Sequence, residues 1–302
     1  MAVTAATITT TTATNLIPTI WSDGVVEAAQ FAAVIQKRVN TDWQDDLKLG
    51  NTLDIPRLSN LTTQSKSSGV SNTVVFEAIT EGQQQLSVAT HEYAAFMVES
   101  VVQVQANQDV RARYEKKIGY AIARGRDITL ANLFQNLSTN IVGTYGIEMT
   151  PEDYISVHQK LMEAGLLEDS PDPGDDYSLI VSPAAYAAML KVDQFINRDY
   201  RGDSPEAINR AMVGDIFGLP VYRSNLLRAP SAGQHDSAAF HRECFALIVQ
   251  AEVPVQSQYL IRNLSDGVVG WNLYGTARVL FPPETPGGGT AADNRGVLIK
   301  SV

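Results

Sequence analysis

The chain has 302 residues, of which 44% are hydrophobic and 19% charged, and its 33 acidic and 23 basic side chains give a formal net charge of −10. This composition is typical of an ordinary globular protein with one large domain or two small ones. The apolar run at residues 245–251 is far shorter than the roughly 20 residues that span a bilayer. One cysteine cannot form an internal disulfide, and no secretion signal opens the sequence. We therefore expect no membrane segment, and synthesis in a reducing cytoplasm.

The first segment is an uncharged arm. Residues 1–22 carry no charged side chain, and eight of the first twenty are threonine, among them Thr9, Thr10, Thr11 and Thr12. Such a segment has little to bury in a fold of its own. We expect it to lie against a neighbouring subunit; the alternative is a tail held by its own fold. Residues 21–38 then show the three- and four-residue apolar spacing of an amphipathic helix.

The next segment indicates a two-stranded ribbon. Residues 50–58 and 73–79 have strand patterns, and residues 60–72 between them are almost purely polar and include Lys66. An isolated two-stranded ribbon is marginal in water, so we expect it to lie over an adjacent subunit. The alternative is an ordinary exposed hairpin. The serine-rich surroundings of Lys66 favour non-covalent contacts at the ribbon tip.

The next predicted element is a long helix. One or two strands are expected within residues 93–106, and helical spacing then continues over residues 108–138, a rod of about 45 Å. This helix carries three acidic residues and six basic ones, which are Arg111, Arg113, Lys116, Lys117, Arg124 and Arg126. One interpretation is a solvated face. The sharper interpretation is that the helix lies on an inner wall, where its basic residues offset the charge of nucleic-acid phosphates without reading the base sequence.

The second half alternates helices and strands. A capping Thr150 and Pro151 predict a helix that runs to about Leu166, followed by an acidic turn at residues 168–176. A second helix is predicted at 183–190, with Ser182 as its cap and Pro183 in its first turn, and a third at 205–213. Strands are predicted at 179–181, 218–225, 253–261, 267–281 and 296–302. Residues 246–250 fit a central strand of the same domain. The Gly-rich residues 282–290 are expected to form a surface loop, because no phosphate-loop lysine follows.

The sequence contains two sets of residues that could bind a metal ion, and neither set matches an established type of site. Asp172, Asp175 and Asp176 could offer oxygen ligands to a divalent cation, but their spacing matches no calcium loop. His241 and Cys244, with His235, could offer ligands to zinc, although a structural site needs four. The alternative for Cys244 is a small buried hydrophobe beside Phe240 and Phe245. We assign no catalytic, cofactor-binding or metal residue, expect no cofactor, and do not expect an enzyme.

Four pieces of the second half carry a family resemblance. Residues 179–190, 199–203, 214–225 and 239–245, in this order and at these spacings, resemble the major capsid protein of tailed bacteriophages. The resemblance implies the α+β fold of the Hong-Kong-97 type. It implies an N-terminal arm and helix (1–44), an extended loop (45–92), a peripheral domain (93–150) with the spine helix 108–138, and an axial domain (151–251). Residues 252–279 would return to the peripheral domain, and 280–302 to the axial domain.

The function implied is assembly of many copies, as hexamers and pentamers, into an icosahedral head that encloses double-stranded DNA. The chain begins directly at a short arm, so the resemblance implies a separate scaffolding protein and a portal. It places the protein in the virion, after assembly in the bacterial cytoplasm, with no membrane partner. The alternatives are an encapsulin-type nanocompartment shell and an enzyme of unknown reaction.

Overall fold

The structure is a computed structural model that describes residues 33–57, 82–100, 110–163, 176–192, 214–280 and 295–301, together with residues 63, 65, 66, 74 and 76. Its strands are β1 (Thr52–Arg57), β2 (Gly82–Ser87), β3 (Thr90–Glu99), β4 (Ile141–Val142), β5 (Tyr177–Val181), β6 (Asp215–Ile216), β7 (Leu219–Arg223), β8 (His235–His241), β9 (Phe245–Ala251), β10 (Val255–Leu260), β11 (Ser265–Arg278) and β12 (Gly296–Ser301). Its α-helices are α1 (Val110–Asn132), α2 (Pro151–Glu163) and α3 (Pro183–Met189).

The chain divides into two compact units. Apart from Ala33, the described part of the first unit lies within Val88–Asp127 and Ile248–Gly275. Its antiparallel sheet has the order β10-β11-β3, and β9 also pairs with β11. The sheet packs on α1 through Ile118 and Ile122, which meet Val268 in a small apolar core. The helix approaches the sheet closely because Gly270 has no side chain, and a Cβ there would lie 2.6 Å from Ile118 Cγ2.

The second unit comprises Val34–Ser87, Ile128–Leu247 and Thr276–Val302. Its main sheet has six strands in the order β4-β12-β8-β5-β7-β6. The pairs β12/β4 and β5/β7 are parallel, whereas β12/β8, β5/β8 and β6/β7 are antiparallel. Its core includes Tyr177, Leu161 and Met189, which come from β5, α2 and α3. Mixed pairing with helices makes this an α+β arrangement.

Both short helices begin as their sequences predict. Ser182 Oγ accepts a hydrogen bond of 3.0 Å from the Ala185 N–H, and Pro183 occupies the first turn of α3. Thr150 and Asp153 cap each other reciprocally at the start of α2: Thr150 Oγ1 accepts from the Asp153 N–H, and Asp153 Oδ2 accepts from the Thr150 N–H. These caps fix where the helices leave the sheet.

The long helix is confirmed with shorter bounds. Helix α1 ends at Asn132 and is followed by a 3-10 turn, Leu133–Asn136. Phe134 in this turn stacks at 5.5 Å on both Phe240 and Phe245, whose rings lie 5.0 Å apart. Cys244 is buried beside this aromatic cluster and is not part of a disulfide, so its interpretation as a small buried hydrophobe is confirmed.

Three predictions of secondary structure are wrong. The strand β1 pairs with β2, Gly82–Ser87, and Val74 and Phe76, the described residues of the strand predicted at 73–79, have no regular secondary structure. The apolar strand β9 pairs with β11 and does not join the six-stranded sheet, in which β8 supplies the central strand. The amphipathic helix predicted over 21–38 does not continue through its last residues, because Ile35–Lys37 form a 3-10 turn. Most of that prediction, and the helix predicted at 205–213, lie outside the described residues.

Candidate functional site

Helix α1 has a buried face and a cationic face. The ridge formed by Ile118, Ile122 and Arg126, at four-residue spacing, is buried, as are Gly119 and Ala123 beside it. On the opposite side the exposed side chains are Lys116, Lys117, Tyr120, Ala121 and Arg124. The helix therefore separates an apolar contact with its own sheet from a polar surface with three cations.

The exposed cations have few competing partners. Lys117 Nζ lies 4.9 Å from the ring centroid of Tyr114, a cation–π contact that leaves its charge uncompensated. Within the described residues, no carboxylate lies within salt-bridge distance of Lys116 or Arg124. Tyr120 is 55% exposed between them. We name Lys116, Lys117, Tyr120 and Arg124 the basic face of α1.

Arg126 does not belong to this face, which corrects the sequence-based set. Its side chain is only 4% exposed, and its Nε has no hydrogen-bond partner among the described residues. Burial lowers the pKa of Arg126, although the charges of Glu252 and other nearby acidic groups oppose the shift. A side chain held in this position cannot reach a phosphate outside the subunit.

The other members of the predicted set are placed only in part. Arg111 and Arg113 lie in α1, and their side chains are outside the described part. Thr9, Thr10, Thr11 and Thr12 also lie outside the described residues. Lys66 is described and exposed. Its role at the ribbon tip stays a prediction.

The side chain of Gln84, in the middle of β2, attaches the ribbon β1–β2 to residues 278–280. The two strands pair antiparallel from Thr52↔Ser87 to Arg57↔Gly82. Gln84 Nε2 donates to the Arg278 carbonyl, and Gln84 Oε1 accepts a hydrogen bond of 2.7 Å from the Leu280 N–H. The side chain thus pairs with the backbone at residues 278–280 as a strand would. Beyond β1, Phe76 is 91% and Val74 62% exposed.

The predicted zinc ligands do not converge. His235 and His241 stand at opposite ends of β8, six residues and about 20 Å apart at the usual strand rise. His241 Nδ1 accepts a hydrogen bond from the Glu243 N–H. Among the described residues, no group of three or more His, Cys, Asp or Glu side chains could hold a metal ion. Asp176 is described, whereas Asp172 and Asp175 lie outside the described residues.

A buried polar network in the second unit was not predicted. The Asp236 side chain is fully buried; its Oδ1 accepts a hydrogen bond of 2.5 Å from the Tyr145 hydroxyl, and its Oδ2 one of 2.7 Å from Arg228 Nη1. Desolvation, together with the hydrogen bond to Asp236, raises the pKa of Tyr145 to about 12. The only sequence signal was a charged residue within the buried strand β8, which requires a partner.

A cavity of about 430 Å³ lies between residues 36–41 and the ends of β5 and β8. Its lining includes three cationic residues, Lys37, Arg38 and Arg242, and one acidic residue, Asp176. This site could not be predicted from the sequence, because its walls come from three distant segments. None of the helices within the described residues is both long and apolar enough to cross a membrane.

No protein-family model matches the sequence, and no curated protein matches it. Solved structures do match it. A chain from Mycobacterium phage Che8 is similar with a TM-score of 0.71 and 18% identity, covering 88% of this chain and 90% of that one. A chain from the mature capsid of bacteriophage PhiM1 is similar with a TM-score of 0.66 and 15% identity, covering 89% of this chain and 86% of that one. A chain of a virus-like particle from Pyrococcus furiosus is similar with a TM-score of 0.56 and 10% identity, covering 93% of this chain and 97% of that one.

These likenesses extend over most of both chains, and they fit a mixed helix and sheet architecture with two compact units. At such low sequence identity they establish the fold rather than the activity. The fold class expected from the sequence resemblance is confirmed at this level. The chain has the mixed α+β fold of phage capsid subunits.

Proposed function

We propose that this protein is the major capsid protein of a tailed bacteriophage, which assembles with itself into an icosahedral head around double-stranded DNA. The observation that carries this proposal is the structural likeness to phage capsid chains over nearly nine tenths of this sequence. A local motif can be shared by unrelated proteins, but a likeness of this length includes the whole arrangement of helices and sheets. The protein would then act through its surfaces, without a cofactor or a catalytic residue.

The domain assignment follows from the same proposal. We assign the four-stranded sheet and the first part of α1 to the peripheral domain, and the six-stranded sheet with α2 and α3 to the axial domain. The ribbon β1–β2 would be the base of the extended loop. Strand β12 supports the assignment of the C-terminal segment, because it pairs with β8 and β4 in the six-stranded sheet.

The first partner is the protein itself. Phe76 and Val74, both more than 60% exposed, are apolar side chains that would gain from burial against another copy. The arm with Thr9–Thr12, and Lys66 at the ribbon tip, are proposed to contact neighbouring copies non-covalently. A scaffolding protein and a portal belong to the same proposal, as does assembly in the host cytoplasm.

The second partner is packaged DNA, bound without sequence preference. The basic face of α1 supports this proposal because Lys116 and Arg124 have no acidic partner among the described residues. Arg111 and Arg113 are proposed to extend the same surface, and Arg126 is left out because it is buried. Phosphate contacts of this kind are weakened by salt and indifferent to base sequence.

A nanocompartment shell of the encapsulin type is the second candidate. The likeness to the Pyrococcus furiosus virus-like particle supports it, but that TM-score of 0.56 is lower than the 0.71 and 0.66 of the phage structures. The phage proposal is therefore preferred. An enzyme is the third candidate, and no metal-binding cluster within the described residues supports it.

The test is to express the full chain, purify particles and image them by electron microscopy. Closed shells would support a capsid or a nanocompartment, and a chain that stays monomeric at high concentration would contradict both. Nuclease-resistant double-stranded DNA in particles from an infected host would support the capsid. Particles that instead retain one cargo protein and no DNA would support the nanocompartment.

A further inference from the structure

The cavity near Lys37 has more basic than acidic residues in its lining, which favours a negatively charged ligand. Arg242 is held on one wall of the cavity. Its backbone N–H donates to the Asp176 carbonyl at 2.7 Å, and its guanidinium Nη2 donates to Asp42 Oδ1 at 3.0 Å. Arg38 is held on the other wall, where its guanidinium carbon lies 4.2 Å from the ring centroid of Tyr222. Both guanidinium groups are positioned by contacts that already exist in the isolated subunit.

Two of the three cations lack an acidic partner. Within the described residues, neither Lys37 nor Arg38 has a carboxylate within salt-bridge distance, and Asp176 in the lining makes no ion pair. Lys37 is exposed at the rim, so an incoming group can reach it. Unpaired cations gathered in one cavity stand out in a chain whose net charge is −10, where carboxylates are in excess elsewhere.

We propose that this cavity binds acidic side chains of a second copy of the chain during assembly. The proposal rests on the proposed shell function and adds to it a named contact. Guanidinium groups recognise carboxylates through paired N–H donors, and the positioned Arg38 and Arg242 lose little side-chain entropy on binding. The 33 acidic residues of each copy supply the complementary charge.

The geometry favours a carboxylate of a protein over DNA as the occupant. A cavity of about 430 Å³ accommodates one or two side chains, whereas a duplex presents a convex row of phosphates. Within the described residues, Lys116 and Arg124 of the basic face have no carboxylate within salt-bridge distance, so this face is the more suitable surface for DNA.

The first experiment uses zero-length carbodiimide coupling, which joins a lysine amine only to a carboxylate in direct contact. Particles are assembled from an equal mixture of 14N- and 15N-labelled full-length subunits, coupled, digested and analysed by mass spectrometry. We expect Lys37 in cross-linked peptides that pair the two isotopes. The internal control is Lys48, which lies 2.9 Å from Asp45 of the same copy and should give links of one isotope.

Two outcomes would overturn the proposal. One is coupling of Lys48 while Lys37 stays unlinked, and the other is linkage of Lys37 only within its own copy. The shell function is judged separately by imaging the same samples. Mixed-isotope links at Lys37 in open oligomers would support the contact between copies and contradict the proposed closed shell. Closed shells without such links would support the shell function and contradict the contact at Lys37.

The second experiment removes the charges. The double variant Lys37→Gln and Arg38→Gln should still fold as an isolated subunit, with only the small loss of thermal stability that follows from removing the contact between Arg38 and Tyr222. Its apparent association constant should fall about tenfold or more for each lost charge-assisted contact. The matched control, Lys48→Gln, should associate like the natural protein. A loss seen only in DNA-filled particles, and absent from empty shells, would assign the cavity to phosphate and overturn the proposal.

Discussion

Gly270 determines how closely α1 approaches the sheet of the first unit. The glycine lies on β11 opposite Ala94 of β3, on the face that packs against Ile118. Because a Cβ would lie 2.6 Å from Ile118 Cγ2, the position has no space for any side chain. The same strand contains Gly267, where the nearest atom to a Cβ, Leu260 Cδ1, would lie at an ordinary contact distance of 3.4 Å. The two glycines thus form a natural pair for comparison.

We expect Gly270→Ala to reduce the free energy of unfolding by about 1–3 kcal/mol, because α1 or Ile118 must shift to admit the methyl group. Gly267→Ala should change the free energy of unfolding by no more than about 0.5 kcal/mol. Urea denaturation followed by circular dichroism would measure both. Equal stability of the two variants would show that the helix and sheet are not in tight contact.

The Tyr145 hydroxyl gives the second unit a dependence on alkaline pH. Burial and the hydrogen bond to Asp236 raise the pKa of Tyr145 to about 12, above the value of about 10 in an unfolded chain. The folded state therefore keeps this proton when the unfolded state loses it. The resulting stabilisation is complete below pH 10 and is lost as the pH rises from 10 through 12.

Tyr145→Phe should be less stable than the natural protein at pH 8, because buried Asp236 loses one of its two hydrogen-bond donors. The difference in melting temperature should shrink between pH 10 and pH 12, where the phenol of the natural protein ionises. Differential scanning calorimetry over that range would measure it. A constant difference across the range would mean that the hydroxyl contributes nothing through its proton.

At the scale of elements, regular patterns were predictable and tertiary pairings were not. Helix α1 was evident from its apolar spacing, and the caps of α2 and α3 from Thr150 and Ser182. Strand β8 was missed because its buried residues include Asp236, Ser237 and two alanines, which do not give a strand pattern. The apolar run of β9 did indicate a strand, but no local signal says which sheet such a strand joins.

The same division applies to the candidate site. The burial of Arg126 could have been predicted, because Arg126 lies four residues after Ile122, as Ile122 lies four residues after Ile118. The three residues therefore share one face of the helix. The cationic cavity could not, because its lining joins residues 36–41 with Asp176 and Arg242. Contacts between such distant positions depend on how the strands pair, which the sequence alone does not show.

The ribbon β1–β2 depends on Gln84 for its attachment at residues 278–280. We expect Gln84→Met to reduce the free energy of unfolding by about 1–3 kcal/mol, because the Arg278 carbonyl and the Leu280 N–H lose the hydrogen bonds to Gln84 at a partly buried position. Hydrogen exchange of the Leu280 amide should accelerate. Gln85→Met is the matched control, since Gln85 makes only an exposed contact of 3.2 Å to Asp54. Similar exchange in both variants would argue against the attachment.

The basic face of α1 makes a quantitative prediction for DNA. Each phosphate that a cation neutralises adds about 0.9 to the salt slope of the logarithm of the binding constant. The double variant Lys117→Gln and Arg124→Gln should therefore lower the slope by about 1.8 for duplex DNA of any sequence. Fluorescence titrations over a salt series would measure the slope, with Lys48→Gln as the control. An unchanged slope would return this surface to the role of a solvated face.

At the scale of the whole molecule, the isolated subunit leaves apolar side chains exposed that its own fold does not need. Phe76 is 91% exposed, Tyr93 72% and Met97 56%, although the same chain buries rings such as Phe134 and Tyr177 completely. Single exposed apolar residues are common in proteins, but a chain that assembles in many copies can bury them between subunits. Folding and assembly then depend on separate sets of residues.

Phe76→Ser tests this separation. The substitution should leave the stability of the isolated subunit nearly unchanged, because Phe76 is 91% exposed and its ring buries little area in the fold. Burial of a phenylalanine side chain is worth about 1.5–3 kcal/mol, so the subunit concentration needed for half-maximal assembly should rise about tenfold or more. Light scattering would measure assembly, and calorimetry the subunit. Phe76→Leu, which keeps most of the apolar area, should remain close to the natural protein. If the serine variant assembled at the natural concentration, Phe76 would not lie in a contact between copies.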